Sequence, residues 1–257
     1  MTDPVVSHGP PPRRAWVEHV MGMPVSIHVR GAAADSALTR QAVMAAYEVF
    51  HDLDRVFSTY RADSDLMRLR RGEVDLDACS PLVAQALALG EEAARRTGGA
   101  FTTSLPTADG GLALDLTGLV KGWAVDRAAE QLRPLARISF CINAGGDLLV
   151  GASAGLPACG PGAIDWRIGI EDPADRSRIA TTVSLTAGAV ATSGTAARGA
   201  HLYDPATGCM VGRTGSVTVV GPTLLWADVW ATALFVGGGA ASRAFAREAP
   251  GYRSLGL

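Results

Sequence analysis

The sequence has no surplus of basic charge: 23 Lys and Arg stand against 25 Asp and Glu, for a net charge of −2. This excludes a nucleic-acid binder that relies on cationic excess, and a polybasic membrane anchor. Cysteines are few. None of Cys79, Cys141, Cys159 and Cys209 forms a Cys-x-x-Cys, and no His sits at metal-site spacing from them, so a zinc site is not expected. The first 14 residues lack a basic region followed by an apolar run, and no Leu-x-x-Cys lipidation pattern is seen. The longest apolar stretch, 224–236, is short for a membrane span and carries Asp228. No membrane insertion is expected, and a cytoplasmic location follows. Also missing are a P-loop, a dinucleotide Gly-x-Gly-x-x-Gly after a strand, a His-Glu-x-x-His and a Gly-x-Ser-x-Gly elbow. These absences argue against P-loop kinases, nicotinamide dehydrogenases, zincins and α/β-hydrolases. What is present is 257 residues, 48 % apolar, with 30 glycines and only 6 % aromatics. That is enough to bury a sizeable core in one large domain or two closely joined lobes.

Residues 1–13, with Pro10, Pro11 and Pro12, read as a disordered segment before a domain spanning 14–250. Residues 16–29 alternate as a strand broken at Gly22 and Pro24. A long amphipathic helix is predicted over 34–56, with Leu38, Val43, Met44, Val49, Phe50 and Leu53 on its apolar side. Ser64 and Ser80, the latter followed by Pro81, read as helix caps. A strand at 112–116, a helix at 119–132 and a strand at 138–143 follow, with 148–150 pairing back. Short strands are predicted at 166–170, 179–185, 189–193, 201–203 and 216–220, and helices at 224–236 and 240–248. Helices gather early and strands late, so the class is α+β: a helix-rich N-terminal half and a strand-rich C-terminal half.

Three constellations could carry chemistry. In Leu114-Asp115-Leu116-Thr117-Gly118-Leu119-Val120-Lys121-Gly122 a strand runs through a tight turn into a helix. A helix start suits an anion, and a lysine near it makes sense beside a phosphate; the alternative is an ordinary turn with a surface lysine. Asp228 and Thr232 stand four apart and share a helix face in apolar surroundings. They suit a hard cation such as Mg²⁺, or else an Asp and a Thr bonded to backbone groups. Polar glycine turns follow strands at 143–147, 192–194 and 201–208. There His201 is either a general acid/base or a histidine pinned by its turn.

Taken in order, Met21-Gly22-Met23, Phe57-Ser58-Thr59-Tyr60 with Ser64, 115–126, 143–147, Trp166 to Pro173, Thr192-Ser193-Gly194, 201–208 and 227–232 resemble the ApbE family of FAD:protein FMN transferases. The resemblance implies a single unit of two interleaved lobes around a flavin cleft. It implies Mg²⁺-dependent transfer of FMN from FAD to a Ser or Thr hydroxyl of an acceptor flavoprotein, with release of AMP. Two alternatives draw on the same residues: an FAD pyrophosphatase using water as acceptor, and a non-catalytic flavin-binding protein. By the resemblance, Asp228, Thr232, Thr117 and the Ala231 carbonyl are metal ligands. Lys121 stands near the FAD phosphates. Met21, Tyr60, Phe101, Thr117, Gly145, Gly146 and Asp147 line the flavin site. His201, Lys121 and Asp204 are the catalytic candidates. The chain departs from the family where Phe101-Thr102-Thr103 replaces Phe-Asp-Pro and where Thr117 replaces a glycine.

Overall fold

The computed structural model describes residues 11–107, 110–153, 155–156, 162–196, 199 and 202–257. His201, Cys159 and residues 1–10 lie outside them. The chain is a mixed α+β fold built on one seven-stranded antiparallel sheet, ordered β1-β2-β5-β6-β9-β12-β13. Its strands are β1 (Arg13–Val20), β2 (Met23–Arg30), β5 (Ser139–Ala144), β6 (Asp147–Ala152), β9 (Gly188–Gly194), β12 (Ser216–Gly221) and β13 (Arg253–Gly256). Three two-stranded ladders complete the strands: β3 (Ser104–Pro106) with β4 (Leu112–Leu114), β7 (Trp166–Glu171) with β8 (Ile179–Leu185), and β10 (Tyr203–Asp204) with β11 (Cys209–Met210). The helices are α1 (Ala37–Phe57), α2 (Asp65–Arg70), α3 (Pro81–Arg96), α4 (Thr117–Leu132) and α5 (Leu224–Glu248).

The segregation expected from the pattern is only partial. The sheet takes β1 and β2 from the start of the chain, and the longest helix, α5, comes near its end. The stretch 16–29 is a hairpin, because Met21 and Gly22 both take positive φ and turn the chain back on itself. Ser36 caps α1 by accepting the Thr39 N–H at 3.0 Å, so the helix starts later than its apolar pattern suggested. Its buried seam is Val43, Ala46, Tyr47, Phe50, Leu53 and Phe57, whereas Leu38 and Met44 face solvent. Ser64 and Ser80 cap α2 and α3 as expected.

Strand alternation gives the sheet two different faces. Val25, Ile27, Val29, Phe140, Ile142 and Leu149 point into the main core, where α1, α4 and α5 pack. Cys141, Val150, Val190 and Val220 point the other way and are covered by Trp166, Ile168 and Ile170 of β7. Burial pushes the Cys141 thiol up to about 12. Helix α5 has the length and composition of a membrane span, longer than the apolar stretch read from the sequence, because it continues through a kink at Gly238. It is nonetheless a core helix, with 67 % of its most apolar window buried inside the protein.

The start of α5 is held from outside itself. Thr223, its N-cap residue, makes no side-chain cap. Instead the Asp126 carboxylate of α4 accepts the Leu224 and Leu225 N–H groups at 2.9 and 2.8 Å. Gly122 makes this approach feasible, since a Cβ there would lie 2.9 Å from Leu225 Cα. Burial holds the Asp126 carboxyl above the ordinary aspartate range, against the pull of the two amides.

Two outcomes follow. Asp126→Ala strands two amides at a buried helix start and lowers stability by about 2–4 kcal/mol, read from urea denaturation. Cys141→Ala leaves the number of thiols reacting with Ellman's reagent at pH 8 unchanged in the native protein and lowers it by one in denaturant.

Candidate functional site

A cavity of about 420 Å³ opens where the helix layer, the sheet and the β7–β8 hairpin meet. The ladder between β6 and β9 explains its position. It stops at Leu148 opposite Val190, although β9 runs on to Gly194. Past that point the Thr192 N–H is taken by a side chain, Asp147 Oδ1, at 2.9 Å. The second Asp147 oxygen bonds the Lys121 ammonium. Lys121 Nζ also lies 3.2 Å from Asp228 Oδ2. One lysine on α4 thus joins β6 and α5, with both carboxylates under 10 % exposed.

Lys121 stands on the second turn of α4, because the helix begins at Thr117 and not at Leu119. Burial alone would lower its pKa, but the carboxylates of Asp147 and Asp228 outweigh that and hold it above the ordinary lysine value. Its ion pairing is therefore complete at neutral pH and is lost only as pH rises beyond the ordinary lysine range. Thr232, one turn beyond Asp228, shares a 2.9 Å hydroxyl contact with Ser193 of β9. Thr117 N–H and Oγ1 both donate to Asp115 Oδ1, at 2.9 and 2.6 Å.

The cavity brings together many of the residues singled out in the sequence. Phe101, Thr117, Lys121, Gly145, Gly146, Asp147, Asp228 and Thr232 all line it. Others stand apart. Ala231 is fully buried in α5 and is not part of the wall. Met21 and Tyr60 lie outside the wall too, at the β1–β2 turn: Tyr60 is 91 % exposed, and its ring is near the place a Gly22 Cβ would occupy. That turn still adjoins the site, since Met23 packs on Gly145. Asp204 is also off the wall; its carboxylate accepts from Ala206 N and Thr207 Oγ1, closing its own turn. The wall further includes Ile168, Ile170 and Arg176 of the hairpin segment, and Ser216. The alternation of β7 marks its two isoleucines as core but carries no sign of a ligand, and the single serine of β12 carries none either. Among the described residues no cluster of three His, Cys, Asp or Glu is placed to hold a metal.

The family model for ApbE matches residues 21–109 and 102–255, almost all of the chain. The chain belongs to the ApbE family. Among its curated relatives, the FAD:protein FMN transferase of Salmonella typhimurium is 32 % identical over 135 residues, covering 49 % of this chain and 37 % of the relative. The protein of the same name from Treponema pallidum is 32 % identical over 160 residues, 58 % of this chain and 44 % of its own length. These alignments span less than half of the relatives' own length. The fold is shared throughout. The flavin transferase ApbE of Vibrio cholerae superposes with a TM-score of 0.74 at 21 % identity, covering 96 % of this chain and 97 % of that one. The apo flavinyl transferase ApbE of Pseudomonas stutzeri gives 0.73 at 22 % identity over 97 % and 96 %.

Removing the lysine exposes what it balances. Lys121→Met leaves two buried carboxylates side by side and lowers stability by about 3–5 kcal/mol at neutral pH. Denaturation midpoints between pH 5 and 8 check this; a variant as stable as the parent at pH 8 would refute the balance.

Proposed function

We propose that the chain is a Mg²⁺-dependent transferase that moves FMN from FAD to a Ser or Thr hydroxyl of an acceptor flavoprotein and releases AMP. The observation that carries this reading is the charge of the cavity wall. Only Lys121 and Arg176 are basic among its described residues, against Asp115, Asp147, Glu171, Asp172 and Asp228. An anionic pyrophosphate does not enter such a wall alone; it needs a cation that travels with it.

The donors present suit Mg²⁺. They are hard oxygens, the Asp228 carboxylate with the Thr232, Ser193 and Thr117 hydroxyls nearby, and no cluster of three acidic or soft ligands stands among the described residues. Mg²⁺ is commonly held by one or two carboxylates together with substrate phosphates and water. Asp228 and Thr232 would hold it, with Thr117 of the same cavity wall; the buried Ala231 is the weakest of the proposed ligands. When bound, the metal neutralises charge on the pyrophosphate and on the departing AMP.

The chain's own residues do the rest. Lys121 offers its ammonium to the phosphates while Asp147 keeps it in place. The start of α4, where Thr117 and Gly118 line the same cavity, favours an anion. The apolar wall of Phe101, Leu148, Ile168 and Ile170 takes a ring of the dinucleotide in a cleft between the helix layer and the hairpin. Catalysis then rests on positioning the acceptor hydroxyl in line with the FMN phosphorus. We assign its proton to His201, the neighbour in sequence of the wall residue Leu202, in preference to Asp204, whose carboxylate closes its own turn.

The test uses purified protein with FAD, Mg²⁺ and an acceptor bearing a Ser/Thr flavinylation motif. In-gel flavin fluorescence and AMP release are measured together. Transfer is expected, is lost with chelator, and falls about 100-fold or more in Asp228→Ala. AMP release independent of acceptor would instead mark a pyrophosphatase, and transfer indifferent to chelator would remove the metal from the reading.

A further inference from the structure

Five hydroxyls on the cavity wall have protein partners, among them Thr102, which accepts the Ser104 N–H at 3.1 Å. Thr117 is bonded to Asp115, Thr192 to Thr218 at 2.9 Å, and Ser193 to Thr232. Ser216 lines the same cavity, is 8 % exposed, and its buried Oγ has no hydrogen-bond partner among the described residues. A buried hydroxyl with no partner costs stability, and native structures hold few of them.

The surroundings explain why Ser216 stands at the cavity. It pairs across the ladder with Gly194, also on the wall. Gly194 has no side chain to cover it, and a Cβ there would lie 3.0 Å from Ser216 Cβ and 2.6 Å from the Gly215 carbonyl. The Ser216 backbone is already satisfied by Leu257, through a 3.0 Å bond in each direction. Only the hydroxyl is left over. Strand alternation puts Ser216 on the same side of the sheet as Val190 and Thr192, the side covered by Ile168 and Ile170.

We infer that Ser216 Oγ is a binding group for the substrate, giving or accepting one hydrogen bond at the polar edge of a nucleotide ring. A hydroxyl suits that task because it donates and accepts equally well. The inference rests on the proposed use of FAD. Both FAD rings offer such an edge, and the halves FMN and AMP each carry one of them.

Equilibrium binding of FAD, FMN and AMP is measured with Mg²⁺ for the parent protein, Ser216→Ala and the size-matched Ser216→Cys, alongside the Tm of each without ligand. Ser216→Ala is expected to bind FAD about three- to tenfold more weakly, with the loss falling on the one half whose ring Ser216 meets. Its ligand-free Tm is expected to stay level or rise by about 1–4 °C, because an unpartnered polar group has gone. Ser216→Cys is expected to show the same direction in affinity. FAD affinity within twofold of the parent in Ser216→Ala overturns the inference, as does a clear fall in Tm, which would mean that the hydroxyl holds the fold. A parent protein that binds none of the three ligands overturns the proposed function, and this inference with it.

Discussion

Lys121 lies between two carboxylates that the fold has taken out of water, and much of the architecture serves that arrangement. A buried ion group is stable only when its partners are held in place. Here the partners come from β6 and α5, so the lysine works only if α4, the sheet and α5 keep their spacing. Neighbouring residues on α4 set that spacing. Gly122 admits the α5 backbone, and Asp126, one turn on, takes its first two amides. On α5 the period continues from Leu224 to Asp228 to Thr232, so the same helix face that meets α4 carries the carboxylate and hydroxyl into the cavity. Capping, close approach and ion pairing therefore sit on successive turns of the same two helices.

The sheet contributes an interruption. A continuous ladder between β6 and β9 would close the space that the cavity occupies. Asp147 stands at the break and supplies by side chain an acceptor for the Thr192 amide. The Thr192 amide at the break therefore keeps a partner, and the same carboxylate meets the lysine. The cavity can then draw on both faces of the sheet: Asp228 and Thr232 from the helix side, and Ile168, Ile170 and Val190 from the hairpin side. A long ligand with charged and apolar parts suits a site with such a division.

Much of this was legible from sequence where a local rule governs. Ser64 and Ser80 read correctly as caps because capping depends on a few adjacent residues. The pairing of Asp228 with Thr232 on one face follows from helical period alone. The tertiary partners were not legible. Nothing in the spacing of Lys121 shows that it meets Asp147, 26 residues on, since that contact needs the whole sheet to form. Leu38 and Met44 matched the apolar period of α1 yet face solvent, while Ala46 and Tyr47 fill the seam. Period identifies a face, but the neighbouring elements decide how wide it is. The cap of α5 escaped for the same reason, because the residue before that helix is Thr223 and the cap comes from Asp126.

The near-neutral charge of the whole chain conceals a locally acidic wall, and that bears on the chemistry. Lys121 with Asp147 and Asp228 is a cluster of net charge −1, and Arg176 is itself paired with Glu171 at 2.9 Å. In the proposed reaction a pyrophosphate carrying about two negative charges must approach this cluster. Protein cations alone would leave the encounter repulsive, and in a partly desolvated cleft that repulsion exceeds its value in water. One divalent ion reverses the sign of the cluster without a second lysine. It also asks little of the protein, which can present a single carboxylate and hydroxyls and leave the remaining positions to substrate and water. In the proposed function, metal dependence and substrate binding would be one electrostatic requirement, set by how Asp147 and Asp228 share one lysine.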